Sequence, residues 1–448
     1  MASISNQPYK NDARIDAIVK ALREGGHLLC SNLAASSKAF VVEETFRQLG
    51  GQHLIVCADK EDAAYFYNDL ESLLGERGMD YSKKQVLFYP TSYKRPYEPE
   101  KADNTYILSR TEVLQRVSTS ERKTLIVSYP EALSEKVFTR KLLAKNTFKL
   151  KVGEKVNLDF LTDLLYDYGF DNVDFVVEPG QFAIRGGLVD VFSFANDYPY
   201  RIEFFGDEVD SIRSFNIADQ LSIEQLKQIV LLPNMQERAF IEEREAILQY
   251  LPDTTTVWLT DMAFFATQVD KEYDRAIEGF EKLQATQEEE VKALKPGQLF
   301  SKSEELLDCL KKRRTVEFGT SSKLLLTSPI DSNLPTNQRR KCSAFDEVND
   351  MGDGENNRQL TTIEFHTKPQ PIFSKNFQLL IDDIAEHKEE GYRVIVFSES
   401  SKQLSRIQAI LNDINHNDEL HRDFETETIA IHGGFTEALI EVTVFLKY

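Results

Sequence analysis

The side chains best suited to recognise a partner lie in one short run, YRIEFF, at residues 200–205. In a β-strand successive side chains point to opposite faces, so the first, third and fifth of these form an apolar stripe. The opposite face carries Arg201, Glu203 and Phe205. An aromatic ring beside an arginine on an otherwise polar face has the composition of an interface hot spot. The alternative is that Phe205 packs beneath a neighbouring loop, and the strand alone does not distinguish the two.

A second group of residues has the spacing of a phosphate-binding loop but few of its side chains. Such a loop, GxxxxGK[ST], needs glycines for close backbone approach, a lysine for the phosphates and a hydroxyl for Mg²⁺. After the first apolar strand the same spacing reads NLAASSKA at residues 32–39, which we call the phosphate frame. Asn32 and Ser37 stand at the glycine positions and Ala39 at the hydroxyl position. Only Lys38 remains of the phosphate-binding residues.

The elements around these residues change type along the chain. Residues 1–140 alternate apolar strands with amphipathic helices, which is typical of a parallel sheet. Residues 141–234 turn to short strands separated by turns, and residues 235–345 return to the α/β pattern. The sequence therefore predicts a β-rich domain inserted into one α/β domain. Residues 346–365 are polar and acidic and are predicted as a linker, and residues 366–448 as a small separate α/β domain.

Composition argues against several kinds of site and location. The four cysteines are scattered without CxxC spacing, and no HExxH occurs, so we expect no metal and a reduced, cytoplasmic protein. No apolar run reaches the ~18 residues of a membrane span. The first residues, MASISNQPYKNDAR, contain no apolar signal core, so we expect neither secretion nor membrane attachment.

The charge balance argues against a primary nucleic-acid binder. Lysine and arginine contacts to phosphates dominate nucleic-acid affinity, whereas this chain has a net charge of −20. We therefore expect weak or no nucleic-acid binding. The loop at residues 89–100 does interleave Tyr93, Lys94, Arg95 and Tyr97, a mixture that can stack on bases and contact phosphates. Its three prolines and its acidic residues favour the alternative of a stiff surface loop.

The stretch at residues 181–215 resembles the β-rich domain of the transcription-repair coupling factor family (Mfd), which is related to a domain of the excision-repair protein UvrB. The shared pattern is R-G-x-x-x-D-x-F, a variable loop, then Y-R-x-x-F-F-x-D-E-x-x-S-I-R-x-F. It stands here as Arg185, Gly186, Asp190, Phe192, then Tyr200, Arg201, Phe204, Phe205, Asp207, Glu208, Ser211, Ile212, Arg213 and Phe215. In that family the domain docks onto UvrA through two arginines and a phenylalanine. By motif position these are Arg185, Arg201 and Phe205, two of which the strand pattern also selects.

The resemblance also locates the second half of a nucleotide site. A UvrB-type helicase carries Asp-Glu after the strand that matches residues 256–260, where this chain has Asp261 and Met262. The acidic residue that would orient the attacking water is therefore a methionine. The implied fold is a degenerate P-loop NTPase-like (UvrB-like) parallel-sheet domain, interrupted by a β-rich α+β domain and followed by a small α/β domain. No cofactor and no ATPase activity are expected in this chain.

The predicted function is that of the non-catalytic N-terminal part of a transcription-repair coupling factor. It would recruit UvrA to stalled transcription complexes in transcription-coupled nucleotide excision repair. The chain ends two residues after an apolar strand, which favours a longer parent. The resemblance implies that this parent is an ATP- and Mg-dependent DNA translocase of helicase superfamily 2 that also binds RNA polymerase and duplex DNA. The alternative is a UvrB-type ATP-dependent helicase or damage-binding protein, and it requires the two nucleotide motifs and a DNA-probing hairpin.

Overall fold

Strands from distant parts of the chain form the largest sheet of the computed structural model. The structure describes residues 8–93, 95–97, 104–119, 122–141, 147–193, 198–231, 244–286, 294–319, 360–374, 376–414, 424–440 and 442–446. The helices are α1 (Ala13–Arg23), α2 (Ser37–Leu49), α3 (Lys60–Leu73), α4 (Asn104–Thr119), α5 (Pro130–Ser134), α6 (Leu158–Asp167), α7 (Ile247–Tyr250), α8 (Met262–Thr286), α9 (Pro296–Leu299), α10 (Ser303–Leu310), α11 (Phe377–Glu389) and α12 (Ser401–Ile414). The strands are β1 (His27–Ser31), β2 (Gln52–Val56), β3 (Val86–Phe88), β4 (Thr124–Ser128), β5 (Val137–Phe138), β6 (Phe148–Lys151), β7 (Asp171–Asn172), β8 (Gln181–Arg185), β9 (Leu188–Phe192), β10 (Tyr200–Phe205), β11 (Glu208–Phe215), β12 (Ser222–Leu226), β13 (Gln228–Leu231), β14 (Arg244–Glu245), β15 (Thr256–Leu259), β16 (Thr315–Phe318), β17 (Leu360–Glu364), β18 (Thr367–Pro369), β19 (Arg393–Phe397), β20 (Glu425–Glu427), β21 (Phe435–Glu437) and β22 (Val442–Leu446).

The large sheet has seven strands in the order β17-β1-β16-β15-β2-β4-β3, and all of its pairs are parallel. Strands such as β4 and β15 are buried along their whole length, as expected of a parallel sheet covered on both faces. The parallel α/β sheet predicted from the sequence is therefore confirmed. The sheet takes strands from before and after residues 147–231, which contribute none to it.

The intervening segment contains a six-stranded sheet in the order β12-β11-β10-β9-β8-β7, antiparallel except for the β7/β8 pair. One face of this sheet packs against α6 in an apolar core that includes Leu161, Leu165, Val191 and Ile202. Buried and more exposed residues alternate along β10 and most of β11, as in an antiparallel sheet with one face toward solvent, whereas β9 is buried from Val189 to Phe192. The end of this second face that carries Phe205 remains exposed.

Two parts of the predicted domain plan need correction. Residues 346–359 of the predicted linker lie outside the described residues, but residues 360–364 form β17 and pair in parallel with β1. The run LTTIE contains two threonines and an isoleucine, β-branched residues that favour an extended backbone. The C-terminal five-stranded sheet, in the order β18-β21-β22-β19-β20, is not separate in its packing. Phe397 and Phe435 share the core of the large sheet and lie 6.0 and 5.6 Å from the Phe40 ring, centroid to centroid.

Within the described residues, the structure contains no helix whose length and apolar character would let it cross a membrane.

Candidate functional site

The solvated face of the six-stranded sheet, which we call the outer face, brings together Arg185, Asp190, Arg201, Glu203 and Phe205. Asp190 on β9 pairs with Arg201 on β10. Arg185 on β8 and Glu203 on β10 pair with the same residue of β9, one from each side. The side chain of Phe205 is 84% exposed. The alternation predicted for residues 200–205 is confirmed, and the alternative in which Phe205 packs beneath a loop is wrong.

A single buried carboxylate organises both predicted arginines. The Asp190 side chain is only 2% exposed, and it accepts hydrogen bonds from Arg201 Nε at 2.7 Å and Arg201 Nη2 at 2.9 Å. Arg185 Nη2 donates to the same carboxylate. Two guanidinium groups therefore share one negative charge, and the cluster keeps an excess positive charge. Hydrogen bonding to Asp190 raises the pKa of Arg201 further.

The two arginines differ in how far they remain available to a partner. The Arg201 side chain is 14% exposed, and its guanidinium carbon lies 4.2 Å from the centroid of the Phe215 ring. The Arg185 side chain is 39% exposed, and its Nη1 donates to the Asp174 carbonyl at 2.9 Å. Arg201 is thus largely part of the sheet, whereas Arg185 offers more of its guanidinium to solvent.

Glu203 is neutralised within the same face. Its carboxylate pairs with Arg213 at 2.7 Å and accepts a hydrogen bond from Ser211 Oγ at 2.7 Å. Hydrogen bonds from Ser211 and Arg213 lower the pKa of Glu203. Glu203 therefore does not cancel the excess positive charge of the arginine cluster.

A tight turn holds Arg185 and Phe205 at the same end of the sheet. Gly186 adopts a φ of +62°, which glycine reaches without strain. The Gly187 carbonyl accepts a hydrogen bond from Phe204 N at 2.7 Å, and a Cβ at position 187 would lie 2.9 Å from the Phe204 carbonyl oxygen. Only glycine permits this approach, which fixes the end of β10 against the β8–β9 turn.

The sequence pattern missed the role of Asp190. The residue belongs to the R-G-x-x-x-D-x-F pattern, but the pattern does not say what its carboxylate contacts. A usable signal was the acid itself, since Asp190 interrupts an otherwise apolar strand, LVDVF. A carboxylate in such a place needs paired donors. Arg201 stands directly opposite it on β10, and Arg185 lies two residues along from the opposite position on β8.

Known protein families match the same region. Residues 148–236 match the family described as the UvrB interaction domain. The chain is 28% identical over 212 residues to the transcription-repair-coupling factor of Escherichia coli (strain K12), covering 47% of this chain and 18% of that protein. It is 30% identical over 216 residues to the factor of Myxococcus xanthus, covering 48% and 18%. This chain is a relative of the transcription-repair-coupling factors.

The relationship extends to a second group of repair proteins. The UvrABC system protein B of Thermosipho africanus is 25% identical over 238 residues, covering 52% of this chain and 36% of that protein. The similar segment thus spans less than a fifth of the Escherichia coli and Myxococcus xanthus coupling factors and about a third of this protein B. The family resemblance read from the sequence is confirmed.

In this relative of the coupling factors, the phosphate frame is covered by the C-terminal part of the chain. Ser36 N, at the start of α2, donates to the Gly433 carbonyl at 3.3 Å, and Gly433 N donates to Ser36 Oγ at 2.8 Å. Ser36 Oγ and His432 N both donate to the Asp69 carboxylate, each at 2.6 Å. Amides at the start of such a helix are where a phosphate would bind. In this structure the amide of Ser36 is already bound to the Gly433 carbonyl.

The residues that the sequence pattern compared with a nucleotide site contact other parts of the fold. Lys38 is half-buried, with Nζ 6.0 Å from the Phe318 ring centroid, and burial lowers the pKa of Lys38. The Asp261 carboxylate accepts a hydrogen bond from Phe264 N at 2.9 Å, so it caps the start of α8, while Met262 is buried. In the part of the chain that the structure describes, no group of three or more His, Cys, Asp or Glu side chains could hold a metal ion.

The tyrosines of the loop at residues 89–100 point inward. Tyr97 Oη donates to the Leu294 carbonyl at 2.6 Å, and the Tyr97 ring lies 5.4 Å from Phe280. Tyr93 packs edge-on against Phe300 at 5.4 Å. Both rings are partly buried in contacts with the rest of the fold, which favours the surface-loop alternative. Lys94 and residues 98–100 lie outside the described residues.

Proposed function

We propose that this chain is the non-catalytic N-terminal part of a transcription-repair coupling factor and that it recruits UvrA through the outer face. The observation that carries the proposal is the exposure of Phe205 beside two arginines that a buried aspartate holds in place. This arrangement lies inside the segment that matches the UvrB interaction domain. UvrA-linked nucleotide excision repair is the process these similarities support.

The geometry suits an interface that is prepared before binding. Fixing long side chains on binding normally opposes association, and here Asp190 already fixes both guanidinium groups. The excess positive charge would pair with a carboxylate on UvrA through charge-assisted hydrogen bonds. Phe205 would enter an apolar pocket of UvrA beside that carboxylate. The local positive charge is also distinctive on a chain whose net charge is −20.

We further propose that the α/β sheet is a degenerate nucleotide-binding domain into which the β-rich domain is inserted. The binding of Ser36 N by the Gly433 carbonyl and the capping role of Asp261 support this. ATP and Mg²⁺ would then be used elsewhere in a longer protein, as would contacts with RNA polymerase and duplex DNA. ATP turnover by this chain would instead favour a UvrB-type helicase, the alternative that similarity to the UvrABC system protein B keeps open.

Binding to purified UvrA, measured by biolayer interferometry, tests the proposed site. Phe205→Ala should weaken binding by roughly 30-fold or more, the effect of a hot spot worth at least about 2 kcal/mol. Phe160→Ala is a matched control, because Phe160 is an exposed phenylalanine of the same domain on α6. Equal affinity of wild type, Phe205→Ala and Phe160→Ala would place the UvrA contact elsewhere. Failure of the wild-type chain to bind UvrA would overturn the proposed partner.

A further inference from the structure

A second exposed aromatic ring lies next to the arginine cluster. Among the residues that the structure describes, Phe205 at 84% and Phe175 at 67% are the two most exposed phenylalanines. Phe175 is in the segment between β7 and β8, and no part of the motif that predicted Arg185, Arg201 and Phe205 includes it. Large aromatic rings exposed in the same region of a surface are typical of partner-binding sites.

Packing of the neighbouring residue explains why Phe175 points to solvent. Val176 is buried in a small apolar cluster with Ala183 and Phe192, so it holds this segment against the outer face. The residues on either side of Val176 are exposed, Phe175 at 67% and Val177 at 57%. The exposure of Phe175 therefore follows from a packed arrangement.

The backbone around Phe175 is fixed on both sides. Val173 N donates to the Phe182 carbonyl at 2.9 Å, and Val177 N donates to Gln181 Oε1 at 2.9 Å. The Asp174 carbonyl accepts a hydrogen bond from Arg185 Nη1 at 2.9 Å. These contacts tie the segment to β8 and to the guanidinium of Arg185 itself.

Arg185 is next to the Phe175 ring and lies on the same face of the sheet as Phe205. Its guanidinium carbon is 5.4 Å from the centroid of the Phe175 ring. Arg185 is two strands away from Glu203, about 10 Å at the usual strand spacing, and Phe205 follows two residues further along β10. This span fits well within one protein–protein interface, which covers about 800 Å² on each partner.

We infer that Phe175 is a second apolar anchor of the UvrA-binding face, with Arg185 next to the Phe175 ring and on the same face as Phe205. The inference rests on the proposed function. It specifies the chemistry of the partner surface: a carboxylate that meets Arg185, flanked by two apolar pockets. The segment of Phe175 also positions Arg185, because the ring lies 5.4 Å from the guanidinium carbon and the Asp174 carbonyl accepts a hydrogen bond from Arg185 Nη1.

The test compares the affinity of UvrA for the wild-type chain, Phe175→Ala, Phe175→Leu, Phe205→Ala and Phe160→Ala. We expect Phe175→Ala to weaken binding about tenfold or more, and Phe160→Ala to bind within about twofold of the wild type. Phe175→Leu keeps an apolar side chain and should recover part of the loss. Arg185→Ala is also measured, alone and combined with Phe175→Ala. The loss of affinity in the double variant should be smaller than the sum of the two single losses, since the ring positions the guanidinium.

Each outcome separates the inference from the proposed function. Wild-type affinity in Phe175→Ala, together with a loss in Phe205→Ala, would overturn the inference and leave the proposed function intact. Absence of wild-type binding would overturn both. Melting temperatures show whether Phe175 has only a structural role. If Phe175→Ala lowered the melting temperature as much as Val176→Ala does, Phe175 would be a packing residue. The inference would then be wrong.

Discussion

Asp190 and Arg201 face each other across β9 and β10, and two nitrogens of the guanidinium contact the carboxylate at 2.7 and 2.9 Å. This pair belongs to the fold as much as to the face that we propose binds UvrA. The guanidinium is mostly buried against Phe215, and the carboxylate is almost inaccessible. Loss of UvrA binding after removal of Arg201 therefore has to be separated from loss of stability.

Arg201→Ala should lower the free energy of unfolding by about 1–3 kcal/mol, because the buried carboxylate loses two hydrogen bonds. Asp190→Ala should cost more, about 3–5 kcal/mol, because two guanidinium groups then face each other without a counter-charge. Urea unfolding of the purified variants measures both.

The control for the Asp190 and Arg201 variants is Arg213→Ala. Arg213 pairs with Glu203 at the same 2.7 Å, but in a more exposed position, so its loss should change stability by no more than about 1 kcal/mol. If Arg201→Ala and Arg213→Ala were equally stable, the pair between buried Asp190 and Arg201 would not contribute more to stability than the exposed pair.

Phe205 and Ile202 lie on opposite faces of β10 and should respond in opposite ways to truncation. Phe205→Ala should leave the free energy of unfolding within about 0.5 kcal/mol of the wild type, because the ring is exposed. Ile202→Ala should lower it by about 2–5 kcal/mol, because Ile202 is fully buried in the core against α6. Thermal or urea unfolding of the two variants measures these effects. If Phe205→Ala were the less stable variant, the face assigned to the core and the face assigned to solvent would be the wrong way round.

Local patterns in the sequence predicted local features well. The alternation along residues 200–205 places Phe205 in solvent because side-chain direction in a strand depends only on position. The alternation of apolar strands with amphipathic helices predicted the parallel sheet, because parallel strands need crossover connections. Contacts between residues that are far apart in sequence carry no such signal. The pairing of Ser36 with Gly433 joins residues almost four hundred positions apart, and the joining of β17 to β1 spans a comparable distance. The exposure of Phe175 depends on the burial of Val176 beneath it, which only the fold reveals.

ATP should neither be hydrolysed by this chain nor raise its melting temperature. A ligand stabilises a protein only by binding its native state, and the start of α2 is already bound to the Gly433 carbonyl. The measurement is a thermal shift with ATP and Mg²⁺ beside a phosphate-release assay. Saturable stabilisation or turnover proportional to protein concentration would contradict the degenerate site and favour the helicase alternative.

Gly433→Ala should loosen the C-terminal part of the chain from the phosphate frame. A Cβ at position 433 would lie 2.8 Å from Ala35 Cβ, closer than real side chains approach, and 3.5 Å from Ser36 N. We expect a lower melting temperature and faster hydrogen exchange at the amides of Ser36 and Gly433.

Gly391→Ala supplies a different comparison for the Gly433 variant. A Cβ at position 391 meets no atom within 4 Å, but the residue has a φ of +90°, so any effect there would come from backbone strain. Increased exchange at Ser36 in Gly433→Ala but not in Gly391→Ala would identify the steric contact with Ala35 as the cause. Unchanged exchange in Gly433→Ala would show that the contact does not hold the two parts together.

The contact between Asp69 and the C-terminal part of the chain should make stability depend on pH. Burial raises the pKa of Asp69 to about 7, although hydrogen bonds from Ser36 and His432 partly oppose the change. The unfolded chain releases this proton at a pH of about 4, so between about 4 and 7 the folded state binds more protons than the unfolded state. The contribution of Asp69 is therefore full below pH 4 and falls as the pH rises to 7. Asp69→Asn does not titrate and, like the protonated carboxyl group, keeps an oxygen that can accept from His432 N and a group that can donate to Ser36 Oγ. Its unfolding free energy should therefore decline less steeply across this range in a series of urea titrations. Parallel pH curves for Asp69→Asn and the wild type would show that Asp69 does not titrate there.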